Sequence, residues 1–198
     1  MKHCKVPSLL AEALKKLPEN LHKDFCYFWP AGDNRDIHEG NMVLHLGAIL
    51  KKNAHIYAEV STKDHPHQRK DFVALPHDKN WFLICEAKRG YGRNHIRGIS
   101  RDIDRIRSMA KSKTFQEYKY SKAYGLILVT CWSTPRRRAL IKPWDDLQLT
   151  NVSHMNKACR DLKVKLDNLS AKRCKLLIQT YDKQEHYLLY AVFEINLD

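Results

Sequence analysis

Two acidic residues and a lysine, Asp71, Glu86 and Lys88, have the types and spacing of a hydrolytic site that holds a metal ion. Two short apolar runs, Phe72 to Leu75 and Trp81 to Cys85, flank a stretch of turn-forming residues, and this pattern predicts a β-hairpin. With a loop of about four residues, antiparallel pairing places Asp71 opposite Glu86, with about 5 Å between their Cβ atoms. Because side chains alternate along a strand, Glu86 and Lys88 share a face.

Facing carboxylates repel and raise each other's pKa unless a cation lies between them. Mg²⁺ is the expected cation, with Mn²⁺ as its substitute, because it prefers oxygen ligands and is commonly held by one or two carboxylates. One of its waters would then be the nucleophile for phosphodiester hydrolysis. We expect Asp71 and Glu86 to be catalytic metal ligands and Lys88 to stabilise the charged phosphate or orient the water. The alternative for Glu86 and Lys88 is an exposed ion pair on a solvated strand.

Asp71, followed by Glu86-Ala87-Lys88 at the end of an apolar strand, resembles the PD-(D/E)XK nuclease superfamily, which includes restriction endonucleases and Holliday-junction resolvases. Lys70 stands where many members have the proline of the motif. The resemblance implies a metal-dependent endonuclease, on DNA more than RNA, and a homodimer as the form in which many members cut both strands. The second hypothesis is a nuclease-fold module without metal chemistry that binds nucleic acid or a protein partner.

Glu39 is a further candidate metal ligand or catalytic base. It is the only acidic residue between Ile37 and Lys52, a segment whose apolar spacing predicts a helix. In the resembled superfamily, a helix directly before the first core strand often supplies a glutamate to the metal or to the water. The alternative is that Glu39 is favoured in the first turn by the helix dipole alone.

The length indicates one domain, and the order of the predicted helices and strands makes it an α/β domain. We expect an N-terminal helical extension over 1–36, a core over 37–132, and a C-terminal helix with two closing strands over 133–198. The 198 residues are 43% hydrophobic and 29% charged, and no apolar run approaches the ~20 residues of a membrane helix. Without a secretory signal or a Cys-x-x-Cys pair, the chain is expected to be cytoplasmic with reduced thiols.

A net charge of +13 favours a polyanionic partner, and DNA is the leading one. The alternatives are a role in solubility or docking to an acidic protein or membrane surface. Three basic segments supply candidate phosphate contacts: a glycine-containing loop after the hairpin, a helical ridge of Arg97, Arg101 and Arg105 spaced i, i+4, i+8, and a cluster after Pro135. The expected nucleic-acid-binding residues are Arg89, Arg93, Arg97, Arg101, Arg136, Arg137 and Arg138. Pairing of the ridge with Asp102 and Asp104 is the competing interpretation.

The predicted elements form a mixed sheet flanked by helices. We expect a first helix over Ser8 to Leu17 that Pro18 ends, and polar loops over Thr62 to Gln68 and Thr134 to Lys142. The remaining predicted helices span 37–52, 94–113 and 151–169, and the remaining strands span 54–61, 124–132, 175–181 and 187–195. From 37 to 132 this order resembles the restriction endonuclease-like αβββαβ core of the superfamily.

Overall fold

A computed structural model of the chain describes residues 4–28, 37–90, 93–134, 137–144, 157–181 and 183–197. The helices are α1 (Ser8–Phe28), α2 (Glu39–Leu50), α3 (Arg93–Ala110), α4 (Lys113–Gln116), α5 (Arg138–Ile141) and α6 (Lys157–Asn168), with a 3-10 turn over Lys142–Trp144. The strands are β1 (Ala54–Thr62), β2 (His65–Pro76), β3 (Trp81–Arg89), β4 (Lys122–Trp132), β5 (Lys172–Tyr181) and β6 (Gln184–Ile195). None of the described helices is both long enough and apolar enough to cross a membrane.

The six strands form one mixed sheet in the order β1-β2-β3-β4-β6-β5. Only the β3 and β4 pair is parallel among these neighbours, and α3 lies in the crossover that connects them. The predicted α/β class is confirmed, as is the order of one helix, three strands, a helix and a strand from α2 to β4. The short α4 is an addition to that order.

Both faces of the sheet are covered, which explains the uninterrupted apolar runs in β3 and β4. Alternate residues such as Ile84 and Ile127 pack with the buried stripe of α3 and with α6. Their neighbours, such as Leu83 and Cys85, pack with α1 and α2. All the residues predicted for the buried stripe of α3 are buried, namely Ile96, Ile99, Ile103, Ile106 and Ala110.

The hairpin of β2 and β3 has the predicted register. Phe72 pairs with Cys85 and Ala74 with Leu83, and the loop comprises residues 77–80. Near its start, the Asp78 side chain accepts a hydrogen bond from the backbone N–H of Asn80 at 3.2 Å. This local hydrogen bond stabilises the turn, and the length of the turn sets which residues of β2 and β3 pair.

The predicted end of the first helix at Pro18 is wrong, because α1 continues through Pro18 to Phe28. Proline in a helix interior removes a hydrogen bond and disfavours the helix. Here Leu14, Leu17 and Leu21 are all buried on the same side of α1, on both sides of the proline. Burial of this continuous stripe against the sheet and α2 outweighs the local preference.

The predicted polar loop over Thr62 to Gln68 is also wrong. β1 runs to Thr62, which pairs with His65, so the segment is a tight hairpin at the edge of the sheet. The sequence over 62–68 contains no large apolar residue, so the alternation of apolar and polar residues that reveals a strand is missing. In the second predicted loop, Arg138 begins the short helix α5. Residues 151–156 of the predicted C-terminal helix lie outside the described residues.

We expect Gly125→Ala to destabilise the protein by about 1–3 kcal/mol, through overpacking of the core. A Cβ atom at Gly125 on β4 would overlap the ring of Phe193 on β6, where both residues are enclosed. Gly98→Ala is the matched control, because a Cβ there meets no atom within 4 Å and Gly98 lies inside α3. Urea unfolding should give the control equal or higher stability. Equal stability for Gly125→Ala and wild type would contradict the close packing of this pair.

Candidate active site and metal centre

The centre of the candidate site is the point where β2 and β3 separate. The last paired residues of these two strands are Phe72 and Cys85. The next main-chain N–H of β3 that points towards β2 is that of Ala87, and it has no acceptor in the backbone of β2. The Asp71 carboxylate accepts this N–H at 2.7 Å through Oδ2. Asp71 therefore lies at the predicted position along the hairpin, but its side chain reaches across to the backbone of β3.

Glu39 also accepts a main-chain N–H of β3, two residues beyond the N–H that Asp71 accepts. It is the first residue of α2, and its Oε1 accepts the main-chain N–H of Arg89 at 3.1 Å. N–H groups two residues apart on a strand point the same way, so Ala87 and Arg89 present donors along one edge. His38, before the helix, accepts the N–H of Gly40 at 3.2 Å. Glu39 is thus brought beside Asp71, and both line a cavity of about 860 Å³ between α2 and β1.

Glu86 lies on the side of β3 that faces α3. It is 5% exposed, and its Oε1 accepts a hydrogen bond from Lys88 Nζ at 2.9 Å. The alternative of an exposed ion pair for Glu86 and Lys88 is therefore wrong. Lys88 Nζ also lies 3.9 Å from Oδ2 of Asp102 on α3. Lys88 is consequently held between two carboxylates.

Lys70 and Asp102 belong to the same buried network, and the sequence interpretation gave neither a place in the site. Lys70 Nζ lies 3.7 Å from Glu86 Oε2, and the Lys70 side chain is 1% exposed. For Asp102 a signal exists, because it follows Ile99 by three residues and precedes Ile106 by four, which places it on the buried stripe. For Lys70 there is no such signal, since a lysine in a strand is ordinarily exposed.

Burial and repulsion from neighbouring carboxylates raise the pKa values of Asp71 and Asp102. Burial raises the pKa of Asp71, as do the charges of Glu86 and Glu39, against the opposing hydrogen bond from Ala87 and the charge of Lys88. Burial and Glu86 likewise raise the pKa of Asp102. The site therefore carries more negative charge than its environment stabilises, which favours binding of a cation.

The pKa values of Lys70 and Lys88 are shifted in opposite directions by the same buried network. Burial lowers the pKa of Lys70, although the charges of Glu86 and Asp102 oppose this change. Burial also acts to lower the pKa of Lys88, but its hydrogen bond and charge attraction to Glu86 outweigh burial and the pKa is raised. Lys88 is therefore a charged ammonium group at neutral pH.

Three carboxylates each retain one oxygen that is not committed to the scaffold. Asp71 Oδ1, Glu39 Oε2 and Glu86 Oε2 accept no hydrogen bond from the described residues, and Glu86 Oε2 is buried. Within the described part of the chain, no three His, Cys, Asp or Glu side chains form a complete metal-binding group. Mg²⁺ commonly uses only one or two carboxylates and keeps several waters. The uncommitted oxygens suit such a hard cation.

The predicted phosphate contacts fall into three groups. Arg97 and Arg101 are exposed on α3 and form no ion pair with any described residue, whereas Arg105 pairs with Asp102 at 3.2 Å. Asp104 pairs with Lys165 on α6, so the competing interpretation holds for Arg105 but not for Arg97 or Arg101. Arg89 ends β3 and Arg137 precedes α5. Arg136 lies outside the described residues, as do the side chains of Arg93 and Arg138.

We expect Asp71→Asn to stabilise the protein near neutral pH when no divalent cation is present. When the pKa of a carboxyl group is raised in the folded state, the free energy of unfolding of the protein falls as the pH rises. The fall begins near pH 4, about the pKa of the group in the unfolded chain, and continues through its pKa in the folded state. The asparagine oxygen still accepts the Ala87 N–H but carries no charge. Urea unfolding from about pH 4 to 7 should give a flatter decline for the variant, with Asp78→Asn in the exposed loop as the control. A variant less stable than wild type near pH 7 would contradict this.

Comparisons of the chain with models of protein families, with curated proteins and with solved structures find no match. The functional interpretation therefore depends on the residues and geometry described above.

Proposed function

We propose that the protein is a Mg²⁺-dependent endonuclease that hydrolyses phosphodiester bonds of DNA. The observation that carries the proposal is the convergence of Asp71 and Glu39 on the free edge of β3, beside Glu86 and Lys88. Glu86 and Glu39 are near enough for their charges to raise the pKa of Asp71. Three elements, α2, β2 and β3, thus supply carboxylates to one end of the sheet.

Each residue has a separate role in this proposal. Asp71 and Glu86 would hold the metal ion, and Glu39 would be an auxiliary ligand or the base that receives a proton from water. When bound, Mg²⁺ supplies positive charge for the developing negative charge on the phosphate and lowers the pKa of water. Lys88 adds an ammonium group whose direction is fixed by Glu86 and Asp102, so little reorganisation is needed during the reaction.

The chain order supports placing this site in a restriction endonuclease-like core. From α2 to β4 the elements follow the order helix, three strands, helix, strand, and β3 pairs in parallel with β4. In the resembled superfamily, the acidic residues stand on the second and third strands, as Asp71 and Glu86 do here. The shared element order supports the proposed assignment to that superfamily.

The charge distribution supports a nucleic-acid substrate. The net charge is +13, and Arg97 and Arg101 extend into solvent from the helix that follows the active-site strand. Residues four apart on a helix lie on one face, so these guanidinium groups are placed to contact neighbouring phosphates. The cavity beside Asp71 and Glu39 leaves room for a substrate phosphate at the carboxylates.

A nuclease-fold module that binds without metal chemistry is the second candidate. It is favoured by the pairing of Glu86 with both Lys70 and Lys88, which balances the buried carboxylate using the protein's own cations. Such a protein would bind DNA in a salt-dependent way and cleave none with any divalent cation.

We expect Lys88→Ala and Asp71→Ala each to reduce DNA cleavage by about 100-fold or more, as loss of a transition-state contact commonly does. Cleavage of supercoiled and linear DNA with Mg²⁺ or Mn²⁺ measures this. Lys157→Ala is the control, because Lys157 is exposed on α6 and outside the site. Thermal unfolding of each variant tests its folding. Metal-dependent cleavage that survives in both folded site variants would overturn the proposed site, and wild type that binds but never cleaves would favour the binding module.

We expect Arg97→Ala and Arg101→Ala to weaken DNA binding uniformly across sequences. Each should reduce the slope of log affinity against log salt by about 1, because one phosphate contact is lost. Arg107→Ala is the matched control, since Arg107 is exposed on the same helix but on another face. Fluorescence anisotropy with labelled duplexes over a range of salt measures the slopes. If Arg97→Ala and Arg101→Ala have the same slope as wild type and Arg107→Ala, the DNA binds elsewhere on the protein.

A further inference from the structure

Lys70 is a buried charged residue that the proposed mechanism leaves without a role. Its side chain is 1% exposed, and its ammonium nitrogen is 3.7 Å from Glu86 Oε2. Removing a lysine from water is costly unless its charge is balanced, so this placement requires a nearby anion. Glu86 is the ion-pair partner of Lys70 among the described residues, and Asp102 adds a longer-range attraction.

Lys70 lies beside the Glu86 oxygen that the proposed metal ion would use. Glu86 Oε1 is hydrogen-bonded to Lys88, whereas Glu86 Oε2 is buried and accepts no hydrogen bond from the described residues. Lys70 Nζ lies 3.7 Å from this second oxygen. Because Lys70 directly precedes Asp71, the middle of β2 supplies both a metal ligand and a competing positive charge.

We propose that Lys70 is a built-in counter-ion of the metal site, which balances Glu86 when no divalent cation is bound and competes with the metal ion for Glu86 Oε2. This inference rests on the proposed function, because it assumes that Glu86 is a metal ligand. Its consequence is that the site binds metal more weakly than its carboxylates alone would. Removing the charge of Lys70 therefore tightens metal binding while it removes a balancing cation from the protein without metal.

The test is Mn²⁺ affinity, measured by isothermal titration calorimetry without substrate. We expect Lys70→Met to bind Mn²⁺ about tenfold more tightly than wild type, because a buried like charge no longer opposes the ion. Lys70→Arg keeps the charge and should give no tightening. Lys157→Met, at an exposed lysine of α6, should match wild type. In a Glu86→Gln background, the gain from Lys70→Met should be lost, because the competition acts through Glu86.

The outcomes separate this inference from the proposed function. If wild type binds Mn²⁺ and Glu86→Gln weakens binding, but Lys70→Met does not tighten it, the counter-ion role is overturned while the metal site stands. If neither wild type nor Lys70→Met binds Mn²⁺, both are overturned. Should Lys70→Met fail to fold, Lys70→Gln keeps a polar group beside Glu86 without the charge. Mn²⁺ should then raise the melting temperature of Lys70→Gln more than that of wild type, and an equal or smaller increase overturns the proposal.

Discussion

The site depends on two main-chain N–H groups at the edge of β3. Where β2 leaves β3, the N–H groups of Ala87 and Arg89 no longer face a carbonyl of that strand. A buried donor without an acceptor costs about 1–3 kcal/mol, so the fold must provide acceptors here. Asp71 and Glu39 provide them, and each uses one carboxylate oxygen to do so. The need to satisfy the backbone thus fixes two acidic side chains side by side.

This arrangement gives each carboxylate two functions. One oxygen completes the hydrogen bonding of the sheet, which holds the side chain in a single direction, and the other remains available to a ligand. A site built in this way is rigid because its residues are anchored to the backbone of β3, which is buried from Trp81 to Ala87. The parallel pairing of β3 with β4 on its other edge completes that support.

The face of β3 that carries Glu86 and Lys88 meets a further constraint, because four charged side chains are crowded between the sheet and α3. Glu86 and Asp102 are both at most 5% exposed, and Lys70 is as deeply buried. Such a network is stable only while its charges balance, since removal of one partner leaves an uncompensated buried charge. Lys88 is held by two carboxylates in this network, and its direction therefore depends on α3 as much as on its own strand.

Local patterns were sufficient for much of the fold. The four-residue turn at 77–80 and the apolar runs beside it determined the hairpin register, and the helical spacing of isoleucines determined the buried face of α3. Both features depend on residues that are neighbours in the chain. The edge hairpin at Thr62 and the passage of α1 through Pro18 were missed, because one lacks an apolar face and the other is stabilised by distant packing.

The sequence by itself determined which acidic residues stand at the end of the hairpin, because strand alternation and loop length depend only on chain spacing. Tertiary structure alone decided where their side chains point. The separation of β2 from β3 turned Asp71 towards the Ala87 N–H, and the approach of α2 brought Glu39 to Arg89 across 50 residues of chain. It also buried Lys70 beside Glu86, since burial of a charge depends on which distant elements cover it and not on the residues next to it.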